Sequence, residues 1–141
     1  MGNFTKKDLL QRACLRAAYV MRSMWEEKGS SDTRLLDPPI IPDELVVVGE
    51  SSAGKVHREH VVPRMKICVE CHNIFARGGS VKDAAEFIQH HLKIVWISRE
   101  EQQRLDSARE LGWRQRMPPD WMPGGNVFAR LDSAGITYRL Y

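Results

Sequence analysis

Pro63 follows the β-branched pair Val61-Val62 at the end of the run Lys55-Val56-His57-Arg58-Glu59-His60. Proline lacks a backbone N–H and has a fixed φ. An extended segment therefore ends at it, and a helix can begin with it. The spacing predicts an extended stretch from Val56 to Val62 and a helical start within 64–76. A short buried strand, Glu44–Val48, comes earlier, and the turn Ser51-Ser52-Ala53-Gly54 joins the two.

Helical periods surround these strands. Leu10, Cys14, Ala17, Met21 and Trp25 recur at helical spacing over residues 5–28, and Leu9, Ala13 and Val20 widen the stripe. Thr5 with Asp8 makes a box-like start, and Gly29 is the stop. Residues 30–44 read as a loop. Ser80 caps a helix over 81–92, which His90 and His91 close, where a protonated imidazole suits the helix dipole. Lys93–Ile97 is an apolar strand. Ser98 with Glu101 forms a capping box for a helix to about Leu111, ahead of Gly112. Within 112–141, Ile136–Tyr141 can form a short strand. The expectation is an α+β fold in one domain: an N-terminal helix (5–28), a core (45–111) and an aromatic and basic tail (112–141).

The chain has 141 residues, enough for one core. No apolar run approaches the length of a membrane helix, and Lys6, Lys7, Asp8, Arg12 and Arg16 interrupt any signal-peptide pattern. Three cysteines argue against a disulfide framework. A cytoplasmic protein that does not enter a membrane is expected. A net charge of +3 permits nucleic-acid binding without requiring it.

Glu59 and His60 carry the strongest chemical signal. A carboxylate can hold a divalent cation, and an adjacent imidazole can take a proton from water. Strict alternation along a strand sends the two side chains to opposite faces. The run His57-Arg58-Glu59-His60-Val61-Val62-Pro63 is followed later by Val95-Trp96-Ile97-Ser98-Arg99-Glu100-Glu101-Gln102. Over residues 55–110 this pattern resembles the HNH, or ββα-metal, nucleases.

The resemblance implies a ββα element with a helical insertion and hydrolysis of DNA phosphodiester bonds with magnesium or manganese. It implies His60 as general base, Glu59 as metal ligand and an Asn between the halves to orient the base, for which Asn73 is the candidate. The later helix should supply a His or Asn ligand. Here it offers Gln102 and Gln103 after Glu100 and Glu101, making Glu101 and Gln102 the candidates. Arg58, Arg64 and Lys66 would position phosphates. Neutral Gln is a poor divalent ligand beside carboxylate or imidazole. The alternative is therefore a catalytically inactive nuclease-like binding protein, for example a phage or mobile-element inhibitor of a host defence complex. A protein partner or a second copy of the chain would dock on the N-terminal helix.

Other motifs compete less well. Gly49-Glu50-Ser51-Ser52-Ala53-Gly54-Lys55 matches a phosphate-cradling loop, but Val56 stands where Ser or Thr is needed and extended residues follow. Cys68-Val69-Glu70-Cys71-His72 spells a haem-attachment motif without the export signal such chemistry uses. His57 and His60 with Cys68 and Cys71 could close a zinc site, or the cysteines could be buried on a helix. In the tail, Trp113, Arg114, Arg116, Trp121, Phe128 and Arg130 interleave aromatic and basic residues. They either stack single-stranded nucleic acid or wrap back over the core.

Overall fold

The computed structural model describes residues 2–141. The fold is α+β. Helix α1 (Lys6–Lys28) begins with a complete Thr5–Asp8 capping box and ends at Gly29 in the left-handed conformation, φ 72°. Two 3₁₀ turns, Thr33–Leu36 and Asp43–Leu45, occupy the expected loop. Strand β1 (Val47–Ser51) starts three residues later than the apolar pattern predicts, because the second of these turns uses Leu45.

Strand β2 (His57–His60) leads through Pro63 into α2 (Arg64–Ala76). Then come α3 (Val81–His91), with its Ser80–Asp83 capping box, and β3 (Ile94–Ile97). Helix α4 (Arg99–Asp106) carries the expected Ser98–Glu101 box but stops five residues short of Leu111. Ser107 is extended there, and the Trp113 N–H returns to the Leu105 carbonyl. A short α5 (Ala129–Ser133), absent from the sequence expectation, precedes β4 (Tyr138–Leu140).

The sheet order is β2-β3-β1-β4. Strand β3 runs antiparallel to β2 and parallel to β1, and β4 runs antiparallel to β1. Gly49 lets β1 approach β4 closely: a Cβ there would lie 2.5 Å from the Arg139 carbonyl oxygen. The β2–β3 pair followed by α4 is a ββα element, with α2 and α3 inserted between its strands.

One apolar core joins the helices to the sheet. Helix α1 packs mainly on α3 through Ala13, Cys14, Ala17, Ala18 and Met21. Leu9 and Val20, expected to widen this face, are exposed. The tail wraps over the core: Phe128 stacks on Tyr138, and Trp121 meets His91 edge-on. His91 is buried. Its Nδ1 faces the Phe87 carbonyl at 2.8 Å, and its Nε2 accepts from the Gly124 N–H at 3.0 Å. Burial lowers its pKa, so it binds the tail as a neutral ring rather than serving the helix dipole as a cation. Among the described residues no helix is long and apolar enough to cross a membrane.

Candidate active-site cleft at strand β2

Strand β2 lies at the edge of the sheet, so side chains on both of its faces reach one cleft of about 360 Å³. This resolves the conflict between strand alternation and a shared site. His57, Arg58, Glu59 and His60 all line the cleft, with Arg64 from the start of α2. Gln102 and Asp106, one turn apart on α4, line it as well, and Arg114 reaches it from the tail.

On one side of β2, Glu59 is 6% exposed. Arg130, 1% exposed, donates to its Oε1, and His57 Nε2 lies 2.9 Å from its Oε2. The same guanidinium donates to the carbonyls of His60 (3.1 Å) and Trp113 (2.8 Å) and lies 3.7 Å from Asp106. Burial alone would raise the Glu59 carboxyl. The His57 hydrogen bond and the Arg130 charge outweigh burial and hold its pKa below the usual range. At Asp106 burial and the charge of Glu59 outweigh the more distant charges of Arg130, His57 and Arg114 and push its pKa up.

On the other side, Arg58 spans both oxygens of Asp43 at 2.6 Å, and Arg64 donates to Asp37 Oδ2. His60 Nε2 faces Asp37 Oδ1 at 3.8 Å. Burial, then the charges of Arg58 and Arg64, hold the His60 pKa down to about 4. The ring is therefore neutral at pH 7.

Three of the residues picked from sequence fall elsewhere. Glu101 is buried beyond the cleft, where it accepts from the Ser98 N–H (2.8 Å) and the Ser51 hydroxyl (2.9 Å). Both its oxygens serve the cap and β1, and it does not line the cleft. Asn73 is exposed near the far end of α2 and does not line the cleft. Lys66 pairs with Glu70 one turn along α2, at 3.1 Å, and also lies outside the cleft lining. Arg58 and Arg64 do line it, but each is already paired with a carboxylate.

Arg130, one of the tail residues read as either stacking nucleic acid or wrapping back over the core, is the most deeply buried cation of the site. Sequence reasoning missed Asp37, Asp106 and the role of Arg130. Only Arg130 left a local trace, as a lone cation between Ala129 and Leu131.

The donors that face the cleft suit a hard divalent cation in type: oxygens of Glu59, Asp106 and Gln102. Glu59 and Asp106 share one guanidinium, which leaves one negative charge for a cation to balance. The set is not preformed. Glu59 is bonded on both oxygens, and among the described residues no three His, Cys, Asp or Glu side chains are arranged to hold a metal.

The His57, His60, Cys68 and Cys71 set does not come together as a metal-holding group among the described residues. Cys68 and Cys71 are buried free thiols on α2, and His72 bonds the Ser31 hydroxyl at 2.7 Å. The Gly49–Lys55 segment leads into β2 rather than a helix, so it is not a phosphate cradle of the helix-start kind.

No protein-family model, curated protein or solved structure matches this chain.

Proposed function

We propose that the chain is an HNH-like endonuclease that hydrolyses DNA phosphodiester bonds in the cleft along β2. The observation that carries this reading is the edge position of β2, which opens Glu59 and His60 to one cleft from opposite faces of the strand. The ββα order and the Gln102–Asp106 face of α4 support it.

Neutral His60 accepts the proton of the attacking water. Arg58 and Arg64 bind the phosphate by exchanging part of their pairing with Asp43 and Asp37, and Arg114 adds a cation at the rim without a carboxylate partner among the described residues. Glu59, Asp106 and Gln102 would hold a magnesium or manganese ion, with His57 giving up its bond to Glu59. When bound, such an ion supplies charge that stabilises the leaving oxygen.

A second reading is favoured by the Arg130–Glu59 pair, in which an internal cation already neutralises the leading metal ligand. In that reading the cleft binds DNA without cutting it.

Plasmid nicking with magnesium or manganese separates the two. The endonuclease reading expects nicking that His60→Ala abolishes. Salt-dependent DNA binding with no nicking at any metal concentration selects the second reading. Absence of both binding and nicking removes both.

A further inference from the structure

Among the described residues, two buried side-chain polar atoms have no hydrogen-bond partner: Asp37 Oδ1 and His60 Nε2. They face each other at 3.8 Å. Buried polar atoms are nearly always satisfied, so an orphaned donor and acceptor aimed at one another mark a contact that is poised rather than absent. The separation exceeds a hydrogen bond by about 0.8 Å, a gap that a small rotation closes, and such bonds are commonly long before substrate arrives.

We propose that Asp37 is the positioning residue of His60: it holds the imidazole as the Nε2–H tautomer and leaves Nδ1 as the nitrogen that accepts a proton from water. This rests on the reading of His60 as the base. A carboxylate only accepts, so the ring nitrogen that faces it must carry hydrogen. The nitrogen left with the lone pair is then Nδ1.

Asp37 is fixed well enough for the task. Its carbonyl accepts from the Ile40 and Ile41 N–H groups at 3.0 and 3.1 Å, and Arg64 anchors Oδ2. The other charged groups around the ring do not compete. Asp43 gives both oxygens to Arg58, Glu59 leaves β2 on the opposite face, and Arg58 and Arg64 are donors. Arg58 Nη2 approaches Asp37 Oδ1 only to 3.9 Å. The HNH resemblance sought this orienting group between the two halves of the motif, at Asn73. The fold supplies it from the loop upstream of β1.

The test uses long-range ¹H–¹⁵N correlation spectra of the full chain labelled at histidine, at pH 7, with His60 assigned by its loss in His60→Gln. The expected result is a protonated Nε2 and an unprotonated Nδ1 in the unaltered protein. Asp37→Asn, whose amide can donate or accept, should yield a mixed or reversed tautomer. Arg64→Gln should keep the Nε2–H form, since it leaves the carboxylate in place. An Nδ1–H tautomer in the unaltered protein overturns the proposal, as does an unchanged tautomer in a folded Asp37→Asn. If Asp37→Asn does not fold, an Nδ1–H ring in the unaltered or Arg64→Gln spectra still overturns the proposal.

Under nicking conditions, Asp37→Asn should lower kcat about tenfold or more while KM changes less than about twofold, and Asp37→Glu should restore part of the loss. No nicking by the unaltered protein counts against the endonuclease reading, and the spectra then judge the Asp37 assignment by themselves.

Discussion

Arg130 and Glu59 form a buried ion pair across 71 residues of sequence, with the guanidinium also capping the His60 and Trp113 carbonyls. Removing one member of such a pair leaves the other as an uncompensated buried charge. Arg130→Met should therefore cost about 3–5 kcal/mol in urea unfolding. The double variant Glu59→Gln/Arg130→Met should recover more than half of that loss. If the double variant is as unstable as the single one, the carbonyl contacts, not the ion pair, dominate.

His60 makes the fold sensitive to acid. Unfolded, its imidazole takes a proton near pH 6.5; folded, only near 4. Between these values the unfolded chain binds more protons, so stability falls as pH drops through this window, by up to on the order of 3 kcal/mol. The contribution is fully present above about 6.5. Urea midpoints measured from pH 7.5 to 4 should show a clearly shallower decline in His60→Gln. Equal slopes would place the proton uptake at other groups, such as His72 and His91, whose pKa values burial also lowers.

Glu101 and Asp106 should separate cleanly. Glu101→Gln disturbs the Ser98 cap and the Ser51 bond, with an expected stability loss of about 1–2 kcal/mol. Its manganese affinity, read by titration calorimetry or electron paramagnetic resonance, should stay within about twofold. Asp106→Asn should weaken manganese binding about tenfold or more, since it removes the carboxylate that lacks a strong partner. The reverse ranking would refute the assignment of the α4 face.

Asn73→Ala should leave urea stability within about 0.5 kcal/mol and nicking unchanged, because the residue is exposed and away from the cleft. A large loss of nicking would mean that α2 moves toward the site on binding.

Gly49→Ala should destabilise by about 1–3 kcal/mol, as the added methyl meets the Arg139 carbonyl within the β1–β4 pair. Faster amide exchange confined to Tyr138–Leu140 is the accompanying sign. Unaltered exchange there would show that the strands adjust without separating.

Elements whose ends carry local chemistry were legible in the sequence. The capping boxes at Thr5, Ser80 and Ser98 and the stop at Gly29 mark α1, α3 and α4 within a residue or two at those ends. The end of α4 was not legible. Its stop at Asp106 depends on the chain returning so that Trp113 bonds Leu105, a contact that no local pattern announces. Helix α5 has five residues and no side-chain cap, so neither periodicity nor capping could reveal it.

The site divides along the same line. Glu59, His60 and Gln102 were picked because they belong to local motifs, and the structure brings all three to one cleft. Glu101 was picked because a capping role and a ligand role call for the same residue type at the same place, and in the structure it caps α4 outside the cleft lining. Asp37 and Arg130 reach the cleft residues His60 and Glu59 from a loop and a helix distant in sequence, and these contacts exist only once the chain has folded.

The Arg130–Glu59 pair also makes this cleft depend on α5. Without Arg130, Glu59 has no guanidinium to bury against, and burying an unpaired carboxylate is costly. A chain cut before α5 would therefore lack the cation that closes this side of the cleft.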